Sequence, residues 1–309
     1  MNILVVGASG FVGSHLIAKL QKTNHNLVCI SQNSRKNQTR LQWIKINLEK
    51  PDYSKLKKIN FDFVYFLAAQ TSIYEAKDNP EKNLKINTLS LVSLIEHFRK
   101  TKQRPFILFT STVSISGLNL YKNKKIPDNP LTFYDVSKKS TELYLKEYIR
   151  QSYVNGCIFR LANIIGINTS DQKKDRGVIF SIIKKISKNE TITIWGDGKY
   201  YRDYLYIDDL VNLLLLSLKK YQNMNNQIFN IGSGSSITLK SAFKKILRKS
   251  AQLFNSTSQI TYDKEPANLE IIEKRSAFIN IDPIKKATGW KIQNNFDDSI
   301  DKIINQIRK

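Results

Sequence analysis

Through residues 1–165, short β-branched apolar runs alternate with longer segments of helical period, the pattern of βαβ units that build a parallel sheet. The runs Asn2–Val6, Asn26–Ser31, Leu41–Asn47, Asp62–Leu67, Phe106–Ser111 and Gly156–Leu161 read as strands. Between them, Gly10–Gln21, Asn83–Lys100 and Tyr134–Tyr153 carry apolar residues at three- and four-residue spacings, which predicts amphipathic helices. The fold class expected is α/β, a Rossmann-type doubly wound parallel sheet. After Gly166 the regularity weakens to a basic helix candidate at Val178–Lys188, a turn at Trp195–Gly198, a helix at Asp208–Tyr221 and a shorter tail. Residues 1–165 therefore read as one domain and 166–309 as mainly a smaller lobe, some of whose segments return to the first. No internal repeat, low-complexity linker or Pro-rich stretch separates them, so the two are expected to share an interface.

Composition narrows the class. With 41% hydrophobic residues over 309 positions, the chain can bury one large core or two unequal ones. Cys29 and Cys157 each fall inside a strand candidate, so buried free thiols are expected and neither a disulfide framework nor a metal site is indicated. The apolar start Met1–Gly7 is too short for a signal-peptide core and lacks a basic leader, and no later apolar run reaches the length of a membrane span. A cytoplasmic location without a membrane partner is the expectation. The net charge of +23 attracts phosphate whatever the fold, yet the lysines are dispersed over nearly every helix and loop. Lacking an Arg-rich, aromatic-interleaved stripe, the chain is not expected to bind nucleic acid, while its field would draw in an anionic metabolite.

The segment Asn2-Ile-Leu-Val-Val-Gly7-Ala-Ser-Gly10-Phe-Val-Gly13 is a strand, a glycine turn and a helix start in succession. Gly7 permits the tight turn, Gly10 lets the backbone approach a pyrophosphate, and Gly13 lets the helix pack close to the sheet with its N-terminus facing the anion. A carboxylate at the end of the second strand would accept from the ribose hydroxyls of NAD. Here that position is Ser31, followed by Gln32, Asn33, Ser34 and Arg35. With no charge to repel a 2′-phosphate and a hydroxyl and guanidinium able to bind one, NADP is favoured and NAD is the alternative.

Tyr134-Asp-Val-Ser-Lys138 opens a helix-period segment, and an i, i+4 pair shares one helix face. A lysine near a tyrosine hydroxyl favours the phenolate, so the pair can act as a general acid and base. Ser111 and Thr112 sit at the end of the preceding strand, the edge where open α/β sheets bind ligands, and Thr112 would donate to the reacting oxygen.

With these residues the chain resembles the extended short-chain dehydrogenase/reductases, the NAD-dependent epimerase/dehydratase family that acts on sugar nucleotides. The resemblance spans almost the whole chain. It also takes in Asp62-Phe-Val-Tyr-Phe-Leu-Ala-Ala69, Arg160-Leu-Ala-Asn163-Ile-Ile-Gly166, Trp195-Gly-Asp-Gly198, Arg202-Asp-Tyr-Leu-Tyr-Ile-Asp-Asp209, Phe229-Asn-Ile-Gly-Ser-Gly234 and Thr288-Gly-Trp290. It implies that Thr112, Tyr134 and Lys138 are catalytic, the last two also touching the cofactor. The remaining cofactor shell it implies is Gly7, Ser9, Gly10, Phe11, Val12 and Gly13 in the turn and Asn47 and Leu48 beyond the third strand, beside the Ser31 and Arg35 already singled out after the second. Leu67, Ala68, Ala69 and Asn87 complete that shell. A nucleoside-diphosphate sugar would meet Ser72, Thr112, Asn163, Arg202 and Arg275. Family members commonly dimerise, so a homodimer built from Asn83–Lys100 and Tyr134–Tyr153 is implied too.

Departures from the family pattern sharpen the reaction. Asn47 stands where many members have the aspartate that meets adenine, and Ser116 replaces the usual tyrosine. Members that eliminate water across C5 and C6 carry an acidic pair directly after the catalytic threonine, where this chain has Val113 and Ser114. The cysteine used for epimerisation at C3 and C5 is also missing from position 113. What remains is hydride chemistry, chiefly at C4. The leading expectation is an NADP-linked reductase of a 4-keto sugar nucleotide and not a 4,6-dehydratase. The alternative is a C4 epimerase that retains its NAD, and a more remote one a non-catalytic dinucleotide sensor.

Overall fold

The computed structural model describes residues 1–33, 35–121, 127–167 and 177–308. Its strands are β1 Asn2–Val6, β2 Asn26–Ser31, β3 Leu41–Lys45, β4 Phe63–Phe66, β5 Phe106–Thr112, β6 Asn119–Leu120 and β7 Asn155–Leu161. The later strands are β8 Asn163–Ile165, β9 Ile192–Trp195, β10 Tyr201–Tyr206, β11 Ile228–Ile231, β12 Ser236–Thr238, β13 Ile260–Asp263 and β14 Ser276–Ala277. Helices α1 Phe11–Leu20, α2 Ile73–Asp78, α3 Pro80–Leu84, α4 Ser90–Lys100 and α5 Phe133–Arg150 belong to the first half. Helices α6 Val178–Ser187, α7 Ile207–Lys220, α8 Leu239–Phe254, α9 Asp282–Thr288 and α10 Phe296–Ile307 follow.

Seven strands pair in the order β3-β2-β1-β4-β5-β7-β11, every neighbour parallel. The expected Rossmann-type sheet is present. Alternate side chains of each strand feed opposite faces, as a pleated strand requires. Ile3 and Val5 pack with Leu16 and Leu20 of α1 and Leu210 and Leu214 of α7, whereas Leu4 and Val6 pack with Leu94 and Phe98 of α4 and Leu145 of α5. With helices on both faces, the strands read as continuous apolar runs, which made their pattern legible. No helix among the described residues is long and apolar enough to cross a membrane.

Two departures from the sequence pattern shape the site. The stretch Asn83–Lys100 is not one helix: a π-helical turn at Lys85–Leu89 separates α3 from α4. The region after Tyr221, where the pattern predicts only a short tail, supplies the edge strand β11 and the helices α8, α9 and α10. The remaining strands form small satellites: β12-β10-β8, β13-β9 and β14-β6.

The β1–α1 turn is sterically tight. Gly7 has φ +87°, and a Cβ there would come 2.6 Å from the Ala68 nitrogen. A Cβ on Gly13 would overlap the Gly7 carbonyl oxygen, whereas on Gly10 it would stand 3.2 Å from that oxygen. Gly13→Ala should therefore cost about 1–3 kcal/mol of stability, the usual range for overpacking. Gly10→Ala should cost less. Urea unfolding of the two variants checks the order.

Candidate active site

The order β2-β1-β4 places a topological switch point at the C-terminal ends of β1 and β4, where open α/β sheets bind ligands. Gly7 and Ala8 donate to the Ile30 carbonyl at 3.3 Å each, and Leu67 donates to Val6 at 2.9 Å, so the glycine turn and the Leu67-Ala68-Ala69 segment lie against each other. Helix α1 starts at Phe11, just past Ser9 and its N-cap Gly10, with Val12 and Gly13 in its first turn. It has no acidic residue there and no side-chain cap, leaving its first N–H groups and positive dipole end available to an anion.

At the ends of β2 and β3 the polar groups are engaged locally. Ser31 donates to the Asn33 carbonyl at 2.5 Å, and the Arg35 guanidinium lies 5.0 Å from the Trp43 ring centre. Ser34 lies outside the described residues. Asn47 is exposed and accepts from the Glu49 N–H at 3.0 Å, while the neighbouring Leu48 is buried.

The π-helical turn delivers Asn87 to helix α5. Asn87 donates through Nδ2 to the Gln70 carbonyl at 3.0 Å and to Ser137 Oγ at 3.3 Å, and its Oδ1 accepts from the Gln70 N–H at 2.8 Å. Thr88 donates to the Ser137 carbonyl at 2.9 Å, and Thr141 lies within reach of the Asn87 and Ser137 carbonyls at 2.9 and 2.7 Å. These buried contacts set the height of α5 over the sheet edge, and with it Tyr134 and Lys138. Ser72 caps α2 by accepting from the Glu75 N–H at 3.1 Å.

Lys138 is 1% exposed; its ammonium donates to the Thr110 carbonyl at 2.8 Å and sits 4.6 Å from the Phe109 ring centre. Burial pulls its pKa down to about 7, with Glu142 opposing. The Tyr134 phenol is pushed well above its usual value, first by burial and then by Asp135, and Arg275 acts in the other direction. The sequence-based expectation that Lys138 lowers the phenol is thus not what the folded chain provides by itself: the lysine reaches down to β5, and burial dominates.

Thr112 ends β5, its hydroxyl 2.7 Å from Ser114 Oγ. Ser114 in turn donates to the buried carboxylate of Asp135, which also accepts from Thr132 at 2.8 Å. Asp135, Ser114 and Thr132 were not among the sequence-derived site residues. The signal for two of them was present as Thr132-Phe-Tyr-Asp135, a capping pattern at a helix start. A second buried cluster lies behind the site. Arg160 of β7 forks to Asp128 at 2.7 Å and to Glu142 at 2.6–2.8 Å, tying the approach to α5 to the sheet.

Of the expected substrate-side residues, Asn163, Arg202 and Arg275 line a cavity of about 830 Å³ whose walls also include Phe11 and Trp195, whereas Ser72 and Thr112 are not among its lining residues. Asn163 donates to the Asp203 carbonyl at 3.1 Å and accepts from Arg275 at 3.2 Å. Arg202 donates to the Arg275 and Glu273 carbonyls, and burial followed by the charge of Arg275 pulls its pKa down to about 10. Two guanidinium groups side by side are relieved by an anion between them.

The NAD dependent epimerase/dehydratase family model matches residues 3–232. A provisionally named UDP-glucose 4-epimerase of Methanocaldococcus jannaschii is 30% identical over 99% of this chain and 98% of its own length. The dTDP-4-dehydro-6-deoxyglucose reductase of Escherichia coli is 29% identical over 99% of this chain and 98% of its own. The crystal structure of a UDP-glucose 4-epimerase with UDP-glucose from Thermotoga maritima matches with TM-score 0.83 at 25% identity, covering 100% of this chain and 99% of that one.

The Lys138 shift has a thermodynamic consequence. Its pKa is about 7 folded against an ordinary 10.5, so between those values the unfolded chain binds more protons and stability rises with pH. Below pH 7 the amine is charged in both states and the burial penalty is complete. Lys138→Met should be more stable than the parent at pH 7, with the gap closing as pH approaches 10.5. Urea midpoints of both proteins across that range check the sign.

Proposed function

The chain belongs to the NAD dependent epimerase/dehydratase family, and within it we propose that this protein moves a hydride at C4 of a nucleoside-diphosphate hexose and interconverts the C4 epimers. Arg275 links the two halves of that chemistry: it stands on the cavity wall beside Arg202, where a diphosphate would be held, and its positive charge acts on the Tyr134 phenol, opposing the rise that burial causes. The turn built on Gly7 and Gly13, the uncapped α1 N-terminus and the adjacent Ala68 fit the pyrophosphate of a dinucleotide. When bound, a nicotinamide dinucleotide takes up and returns the hydride. Tyr134 exchanges the proton on the C4 oxygen, Thr112 fixes that oxygen, and Lys138 adds positive charge at the edge of β5.

Epimerisation is favoured over net reduction by the loop that made NADP attractive in the sequence. Ser31 spends its hydrogen on Asn33, and Arg35 stacks on Trp43. Both groups are engaged within the protein, which weakens the case for a 2′-phosphate pocket, and retained NAD becomes the reading we adopt. The 29% identity to a reductase that spans almost the whole chain keeps reduction of a 4-keto sugar nucleotide as the second reading. Dehydration has little support. Val113 and Ser114 are buried, and both oxygens of the nearby Asp135 are taken by Ser114 and Thr132. Exposed Leu89, Phe133, Val136, Leu143 and Tyr144 put apolar surface around the π-helical turn and α5, which supports a homodimer through these helices.

Incubated with NAD, UDP-glucose should yield UDP-galactose with no net accumulation of NADH and no 4-keto-6-deoxy product. Tyr134→Phe should slow that turnover by about a hundredfold or more, the usual contribution of a general acid and base. Stoichiometric NADPH oxidation with a 4-keto-6-deoxy sugar nucleotide, and no epimerisation, would establish the reductase reading instead. NADP binding tighter than NAD in a titration would count the same way. Binding of the cofactor without turnover on any sugar nucleotide would leave only a sensor. Light scattering should report a dimer for the parent chain and a monomer for Leu143→Glu.

A further inference from the structure

The exit of β5 carries a hydrogen-bonded chain that hydride transfer does not itself require. Thr112 Oγ1 accepts from the Ser114 N–H at 3.2 Å and lies 2.7 Å from Ser114 Oγ. Ser114 Oγ donates to Asp135 Oδ1, Thr132 Oγ1 donates to Asp135 Oδ2 at 2.8 Å, and the Asp135 N–H returns to Thr132 Oγ1 at 3.1 Å. Asp135 is 0% exposed and Ser114 8%, so bulk water does not compete for these groups.

Counting hydrogens sets the direction of every link. A hydroxyl has one hydrogen to give, and a carboxylate has none. Asp135 takes the hydrogen of Ser114, so Ser114 Oγ can only accept in its contact with Thr112. The Thr112 hydrogen is thereby turned towards Ser114, while one of its lone pairs is used by the Ser114 N–H. What Thr112 has left for a ligand is a lone pair.

We infer that Asp135, acting through Ser114, is a positioning residue that makes Thr112 a hydrogen-bond acceptor towards the bound sugar, so that the site selects a hydroxyl at the reacting carbon over a group that cannot donate. This rests on the reading that Thr112 meets the reacting carbon, and it reverses the donor role that the sequence suggests for Thr112. It also gives Ser114 a task at a position where dehydratases place an acid. Substrate and product of an epimerisation both carry that hydroxyl, whereas a 4-keto group, whether the substrate of a reductase or the transient that epimerisation passes through, has no hydrogen to give Thr112.

The test uses the full chain with NADH bound, so that neither probe is oxidised, and titration calorimetry with UDP-glucose and UDP-4-deoxy-4-fluoroglucose. Fluorine cannot donate. The parent protein should prefer UDP-glucose by about tenfold, the worth of one buried hydrogen bond against two opposed acceptors. Ser114→Ala frees the Thr112 hydrogen and should reduce the preference to about twofold or less, while Ser114→Thr, which keeps the hydroxyl, should restore it. Matching thermal midpoints show that the variants are folded. If Ser114→Ala keeps the full preference while Thr112→Val weakens UDP-glucose binding, the relay is wrong and the placement of Thr112 stands. If Thr112→Val changes neither UDP-glucose binding nor turnover, Thr112 is not at the sugar, and the inference falls with that reading.

Discussion

The close approach of the β1–α1 turn to Ala68 is the contact on which the rest of the site depends. Gly7 turns the chain with φ +87° directly beneath the Ala68 backbone, and Gly13 lets α1 rise past the Gly7 carbonyl. A side chain at either position would push α1 away from the sheet. The helix N-terminus would then no longer sit at the gap between β1 and β4, the one place where the strand order leaves an opening above the sheet. The electrostatics of the turn follow from this packing, since the dipole acts only across the first turn of the helix.

From that anchor, polar contacts and not apolar packing position the chemistry. The π-helical turn rotates Asn87 and Thr88 into helix α5, where Ser137 and Thr141 meet them. An unbroken helix would spread those two residues differently and leave buried hydroxyls without partners, a cost comparable to that of the hydrogen bonds lost. The same α5 is held from the other side by Arg160 through Glu142. Held at both flanks, it brings Lys138 down to the Thr110 carbonyl and leaves Tyr134 half-buried. Burial at this edge is what moves the proton affinities: it lowers the lysine and raises the phenol, each towards its neutral form.

The second half of the chain is tied into the first by strand β11, which completes the central sheet beside β7, and by parallel pairing of β14 with β6. Arg275 sits immediately before β14 and reaches both Asn163 and the surroundings of Tyr134. A residue late in the sequence thus acts on the Tyr134 phenol of α5. Arg202 is buried and held by the Arg275 and Glu273 carbonyls, so its side chain has little conformational freedom left.

What the sequence by itself determined is local or periodic. The inner strands of the main sheet, β1, β2, β4, β5 and β7, are buried on both faces and spell themselves out as apolar runs. The glycine turn announces its backbone demands through residue type, and Tyr134 and Lys138 declare a shared helix face by spacing alone. Even Asp135 was readable as a capping partner of Thr132, though not as a neighbour of Ser114. Tertiary structure alone decided the rest. The break at Lys85–Leu89 has no Pro or Gly to mark it, because its cause lies in hydroxyls on α5 far along the chain. The partners of Arg35, Arg202 and Arg275 depend on which loops fold against them, and a guanidinium carries no sequence signal of whether it will meet a ring, a carbonyl or a ligand. The proton affinities of Tyr134 and Lys138 were set by desolvation, which is a property of everything packed around a group and is not encoded at the group itself.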